Sequence, residues 1–192
     1  MKKLSLLLAF FTLTLLTACQ TAEETSELQL ASSTQIVELN DGDTYDLEST
    51  FVEKELNGSL YKMLAYNGSI PGPTLKVKQG STITINFTNN TNIETTLHSH
   101  GVRLDNDFDG VPHLTQEAIQ VGETFTYKVR FDDSGVFWYH PHLREDYAQD
   151  MGLYGNYIIV ADEGDWSPVN REETLMVDDI LMKEDKLASY SL

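Results

Sequence analysis

Ser81-Thr82-Ile83-Thr84-Ile85-Asn86-Phe87 alternates polar and apolar residues from Thr82 onward. A period of two places Ile83, Ile85 and Phe87 on one face of an extended strand, toward a core, and leaves the threonines and Asn86 toward solvent. Similar short β-rich runs lie on either side, at Ile36 to Leu39, Thr44 to Leu56, Tyr61 to Tyr66 and Thr74 to Val77, then at Thr95 to His100, Thr124 to Phe131, Gly135 to His140 and Tyr154 to Val160. Asn57-Gly58, Asn67-Gly68 and Gln79-Gly80 punctuate them as turns, and no long helical period interrupts the series. Many short strands at regular spacing predict an all-β chain, an antiparallel Greek-key β-sandwich. A length of 192 residues with 41% hydrophobic content is enough for one such domain with a proper core, plus tails.

Two of those strands end in a chemically distinctive pattern. Leu97-His98-Ser99-His100-Gly101 and Trp138-Tyr139-His140-Pro141-His142 each carry a His-x-His pair, and together they hold four of the five histidines. Imidazoles at i and i+2 of a strand leave from one face, about two rises of ~3.3 Å apart. One pair alone reads as the polar face of a half-exposed strand. Two pairs on two strands offer four nitrogens, a set that suits copper, zinc, iron or nickel. Gly101 allows close backbone approach beside the first pair, and Trp138-Tyr139 are bulky strand formers before the second.

From about Tyr61 to Asp162 the chain resembles the amino-terminal cupredoxin domain of the multicopper oxidases, the laccase-like family. The resemblance rests on Tyr66-Asn67-Gly68-Ser69-Ile70-Pro71-Gly72-Pro73-Thr74, the His-Ser-His-Gly segment, and Asp109-Gly110-Val111-Pro112 with Thr115-Gln116. The Trp-Tyr-His-Pro-His segment and Gly152-Leu153-Tyr154-Gly155 complete it, and order and spacing make it specific. It implies a cupredoxin-like fold and four copper ligands: His98 for a type 2 copper, and His100, His140 and His142 for the type 3 pair. These would be half of a trinuclear cluster, the other half coming from a carboxy-terminal cupredoxin domain or a second chain. The family couples one-electron oxidation of a reducing substrate to reduction of dioxygen to water. Its type 1 copper needs a His-Cys-His segment that this sequence does not contain, and the thiolate of such a site has no counterpart here.

The amino terminus adds a different signal. Lys2-Lys3 followed by the apolar run Leu4 to Leu16 reads as a secretory signal peptide over residues 1–18, since 13 residues fall short of the ~20 that a membrane span needs. Leu16-Thr17-Ala18-Cys19 resembles the bacterial lipoprotein cleavage signal, which makes Cys19, the single cysteine, a lipid anchor to a membrane and places the domain in the periplasm or outside the cell. Residues 19–35 then read as a flexible tether, rich in Thr, Glu, Ser and Ala. Residues 36–164 form the expected cupredoxin domain. Residues 165–192, with Glu172-Glu173-Thr174-Leu175-Met176-Val177-Asp178-Asp179-Ile180, resemble the opening of a second, truncated domain or a tail.

Charge excludes one class of partner. The formal charge is −17, and loss of Lys2 and Lys3 with the signal would leave 11 basic against 30 acidic residues, or −19. Nucleic acid is therefore not an expected partner; most of these carboxylates read as a solvated surface.

The loop from Asp105 to Glu117 offers further candidates for chemistry. Asp109 matches a family position whose carboxylate helps deliver protons to reduced oxygen; equally, Asp109-Gly110 makes a turn. Asp105, Asp107 and Asp109 also match the front of an EF-hand loop, but Gln116 stands where a bidentate Glu is required, Pro112 interrupts the loop, and no helix flanks it. His113 reads as an exposed loop residue. Glu117 replaces the cysteine of many eukaryotic members, which points to a bacterial-type member. Two functions follow: the copper-binding amino-terminal part of an oxidase, or a non-enzymatic copper- or zinc-binding lipoprotein using the same four histidines.

Overall fold

The computed structural model of the chain describes residues 28–161, 167, 169–183 and 186–187. The expected signal peptide, Cys19 and the tether as far as residue 27 lie outside the described residues. Among those described, no helix is long and apolar enough to cross a membrane.

Among the described residues, nine strands make two sheets. One holds β1 (Ile36–Glu38), β4 (Thr74–Lys78), β6 (His98–His100), β8 (Gly135–His140) and β9 (Gly155–Val160), in the order β1-β4-β9-β8-β6. The other holds β2 (Thr44–Leu56), β3 (Ser59–Tyr66), β5 (Thr82–Asn89) and β7 (Thr124–Arg130), in the order β3-β2-β5-β7. A 3-10 turn spans Asn106–Phe108, one helical turn α1 spans Glu145–Ala148, and β10 (Met182–Lys183) pairs with β11 (Lys186–Leu187) as a small separate hairpin.

The alternation that opened the sequence reading is realised in full. Ile83, Ile85 and Phe87 are buried while Thr82, Thr84, Asn86 and Thr88 are half-exposed on the other face of β5. Leu47, Leu64, Val129 and Tyr127 from the same sheet meet Leu75, Tyr139, Tyr157 and Ile159 from the other in one hydrophobic core. The Tyr66 and Tyr139 rings, 5.3 Å between centroids, join the two layers. At ~25 cal/mol per Å² of apolar surface removed from water, this inner layer dominates the stability.

The expected β-sandwich is present, and the structure departs from the expectation in two details. The sandwich contains parallel pairs, β1 with β4, β2 with β5 and β4 with β9, besides the antiparallel ones. Side-chain alternation fixes which face of a strand is buried, not the direction of its neighbour, so a wholly antiparallel arrangement was too simple. The second concerns the tether. Ala31 N donates to Glu53 O at 2.7 Å, Glu53 N to Gln29 O at 2.8 Å, Ser32 N to Gly68 O at 2.9 Å, and Thr34 Oγ1 to Pro71 O at 2.7 Å. Gln29 to Gln35 is therefore docked on the domain by backbone hydrogen bonds. Main-chain pairing leaves no hydrophobic pattern, which is why composition alone read this stretch as loose.

The Gly- and Pro-dense segment Tyr66 to Thr74 acts as a turn that sets β4. Asn67 and Gly68 adopt positive φ, and the Tyr139 hydroxyl donates to Pro73 O at 2.5 Å, fixing the loop to the strand that carries the second histidine pair. Gly155 lies against the same ring: a Cβ there would sit 2.3 Å from Tyr139. The strand before His140 is thus clamped from both sides.

Candidate metal centre

β6 and β8 are neighbours, antiparallel, with His98 opposite His140, Ser99 opposite Tyr139 and His100 opposite Trp138. His142 follows β8, its N–H directed at Thr96 Oγ1 at 3.3 Å. The two pairs are therefore staggered by two residues rather than matched: His100 at one end, His98 and His140 in the middle, His142 at the other. Ring centroids are 5.4 Å apart for His98 and His140, 4.4 Å for His98 and His142, and 5.2 Å for His140 and His142. All four imidazoles thus face one region. Candidate ligand atoms of His98, His100 and His140 lie within 4.8 Å of one another, and His142 extends the row away from that group.

Hydrogen bonds fix which nitrogens remain for a metal. A carbonyl only accepts, so the 2.6 Å contact from His98 Nδ1 to Asp109 O and the 2.8 Å contact from His140 Nδ1 to Pro141 O place the proton on Nδ1 in both rings. His142 Nδ1 donates to Glu145 Oε1 at 2.6 Å. In all three Nε2 is the unprotonated nitrogen, the second-sphere arrangement that metal-binding histidines use, and that of His140 accepts the contact from His100. His100 is the exception: its Nδ1 lies 3.2 Å from His140 Nε2. Two nitrogens that far apart subtend roughly 100° at a metal with bonds of about 2.0–2.1 Å.

Burial keeps the inner rings neutral. Desolvation lowers the His98 pKa from its ordinary value, outweighing the Asp109 carbonyl, and the neighbouring His142 and His100 add to the lowering. Desolvation likewise pushes His140 down to about 4. A neutral imidazole is the form that binds metal, so neither ring must lose a charge-bearing proton at neutral pH.

The strands supporting these rings are tied to the core. Ser99, pointing inward between the two histidines of β6, is hydrogen-bonded to the Tyr157 hydroxyl at 3.0 Å. Leu97 N donates to the Tyr127 hydroxyl at 3.0 Å. Trp138 stacks on His140, 4.0 Å between centroids and 23° from parallel.

Asp109 ends the 3-10 turn, with its carboxylate 3.4 Å from His98 Nδ1 and about a third exposed. Gly110 follows at φ 75°, so Asp109 both makes the turn and stands beside the row of histidines. No helix flanks the Asp105 to Gln116 loop beyond that single turn, in keeping with the rejected EF-hand. His113 is exposed, 3.4 Å from Glu117, and outside the group. Sequence reading passed over Glu145 and the stacking role of Trp138. The signal for the first was present in the spacing, an acidic residue three positions after His142.

The model of the multicopper oxidase family matches residues 50–164. The chain belongs to the multicopper oxidase family. Copper is the family's metal, and a set of imidazole nitrogens freed by Nδ1 hydrogen bonds fits it. Among multicopper oxidase relatives, the chain is 33% identical over 158 residues to copper resistance protein A of Escherichia coli, covering 82% of this chain and 25% of that protein. It is 40% identical over 114 residues to laccase abr2 of Aspergillus fumigatus, covering 58% and 19%. The crystal structure of the blue copper oxidase from Nitrosomonas europaea superposes with a TM-score of 0.62 at 34% identity, over 68% of this chain and 41% of that one. The chain thus spans about a quarter or less of the length of these curated relatives.

Proposed function

We propose that this chain is the amino-terminal cupredoxin domain of a multicopper oxidase and supplies half the ligands of a trinuclear copper cluster, His98 to the type 2 ion and His100, His140 and His142 to the type 3 pair. The observation that carries this reading is the staggered register of β6 and β8, which aims four imidazoles at one region without stacking them around a single point. Copper bound there would supply the one-electron chemistry that reduces dioxygen to water at the expense of a reducing substrate. The remaining ligands and the type 1 site would come from a carboxy-terminal cupredoxin domain or a second chain.

Within this frame each residue has a task. The Asp109 carbonyl and the Pro141 carbonyl hold the Nδ1 hydrogens of His98 and His140, which leaves Nε2 as the atom each would present to copper. The Asp109 carboxylate, 3.4 Å from His98 Nδ1 and about a third exposed, would exchange protons with the site. Residues 165–192 would be the opening of a second, truncated domain or a tail. The leader through Ala18 would direct export, and lipid on Cys19 would hold the domain at a bacterial membrane.

Copper titration of the chain with X-ray absorption or electron paramagnetic resonance tests the reading. Imidazole nitrogen coordination, lost stepwise when His98, His100, His140 and His142 are changed to Ala, is expected, together with weak binding and no oxidase turnover by this chain alone. Copper bound without nitrogen ligands, or robust oxygen consumption by the chain by itself, would overturn it.

A further inference from the structure

Three of the four candidate ligands have their Nδ1 hydrogen held, and the holders differ in kind. For His98 and His140 it is a main-chain carbonyl, which no substitution at that residue removes. For His142 it is a side chain, Glu145, at 2.6 Å. A charge-assisted bond this short is stronger than its neutral counterpart and orients the ring as well as fixing its tautomer. The local backbone is shaped to make it. Arg144, between the two partners, sits in the left-handed region at φ 49° and ψ 51°, a conformation uncommon for a residue with a Cβ. That reversal starts α1 and brings Glu145 back over His142.

Several contacts hold the reversal in place. The Arg144 carbonyl accepts from Tyr147 N at 2.8 Å and Ala148 N at 2.6 Å, and Ala148 is fully buried. The Arg144 guanidinium donates to both carboxylate oxygens of Asp146, at 2.9 and 3.2 Å. His142 is also the ligand candidate that lies beyond the end of β8, with no cross-strand partner of the kind that fixes His98 and His140. What the Asp109 and Pro141 carbonyls do for the inner histidines is done for this one by its side-chain partner.

We infer that Glu145 is a positioning residue of the metal centre: its carboxylate holds the Nδ1 hydrogen of His142, locks the ring's orientation, and fixes Nε2 as the atom this histidine presents to copper. Glu145 does not itself touch the metal. The inference rests on the proposed function, and its test separates the two.

Long-range nitrogen–proton NMR of the full chain, before copper is added, reads the His142 tautomer directly. The wild type is expected to show His142 protonated at Nδ1. Glu145→Ala is expected to give a mixture of tautomers and to weaken copper binding by about tenfold or more, the usual effect of losing such a partner. Glu145→Gln, whose amide oxygen still accepts, is expected to keep the tautomer and recover most of the affinity. Signals of His98 and His140 should be unchanged in both variants, which reports an intact fold. An unchanged His142 tautomer in Glu145→Ala, or unchanged copper affinity, overturns the inference. If the wild type took up no copper while the tautomer responded to Glu145→Ala, the copper reading would fail and the Glu145–His142 coupling would stand.

Discussion

Trp138 lies flat against His140, ring centroids 4.0 Å apart, because the register of β8 places it opposite His100 and one residue outside Tyr139. The indole also lies 5.0 Å from the His100 ring, so a single side chain walls two candidate ligands. Copper(II) bound at those rings would quench Trp138 emission. In a Trp166→Phe background, which leaves Trp138 as the one tryptophan of the chain, copper titration should quench most of the fluorescence. Trp138→Phe should keep a stacking partner and lose copper affinity by less than tenfold, and Trp138→Ala by about tenfold or more. No quenching on copper addition would place the metal elsewhere.

How far the sequence carried can be judged on particular residues. β5 was legible because its inner face meets a core and its outer face meets water, so the period of two is written in residue type. β6 was not legible in that way. Its three residues, His98-Ser99-His100, carry no apolar alternation, and only the His-x-His spacing and the family resemblance marked them. The meeting of the two pairs was expected; their stagger was not, because register depends on how Tyr139 of β8 packs on Tyr66, reaches Pro73 O and pairs with Gly155 of β9. Glu145 escaped notice because its role needs Arg144 in a left-handed conformation, which nothing in the residue types Leu143-Arg144-Glu145 announces.

Ser99 and Tyr157 connect the strand that carries the first histidine pair to the middle of the core. Their hydroxyls, both buried, are 3.0 Å apart. Removing either partner strands the other without water, so Tyr157→Phe and Ser99→Ala should each cost about 1–3 kcal/mol in chemical denaturation. The double variant should cost less than the sum of the singles, since it leaves no orphaned hydroxyl. Strict additivity would show that the two groups do not depend on each other.

The His140 ring makes stability depend on pH in the absence of metal. Burial lowers its folded-state pKa to about 4, below the ordinary 6.5, so between those values the unfolded chain binds the proton more readily. The contribution is fully present above pH 6.5 and is lost as pH falls toward 4. The melting temperature of the metal-free chain should therefore fall between pH 7 and pH 5 by more in the wild type than in His140→Gln. The many exposed carboxylates act alike in both proteins and drop out of the difference. Equal slopes for the two would mean that His140 is not desolvated in solution.

Gly110 is where the turn, the strand and the candidate ligand depend on one another. Its φ of 75° is open to glycine and strained for other residues, and a Cβ there would stand 2.1 Å from Leu97 O and 2.9 Å from His98 N. Those are backbone atoms of the segment that carries the first histidine pair, and they cannot swing aside as a flexible side chain would. Gly110→Ala must therefore move either the 98–100 strand or the Asp109 carbonyl that holds His98 Nδ1 at 2.6 Å. A loss of roughly 2–4 kcal/mol in unfolding free energy is expected. A surface change nearby, such as Asp107→Ala, should leave stability within about 0.5 kcal/mol. If Gly110→Ala folds, long-range NMR should show His98 losing its fixed Nδ1 proton while His142, held by Glu145 at the other end of the row, keeps its own. Wild-type stability in Gly110→Ala, with His98 undisturbed, would mean that the loop packs less closely on Leu97 than the structure shows.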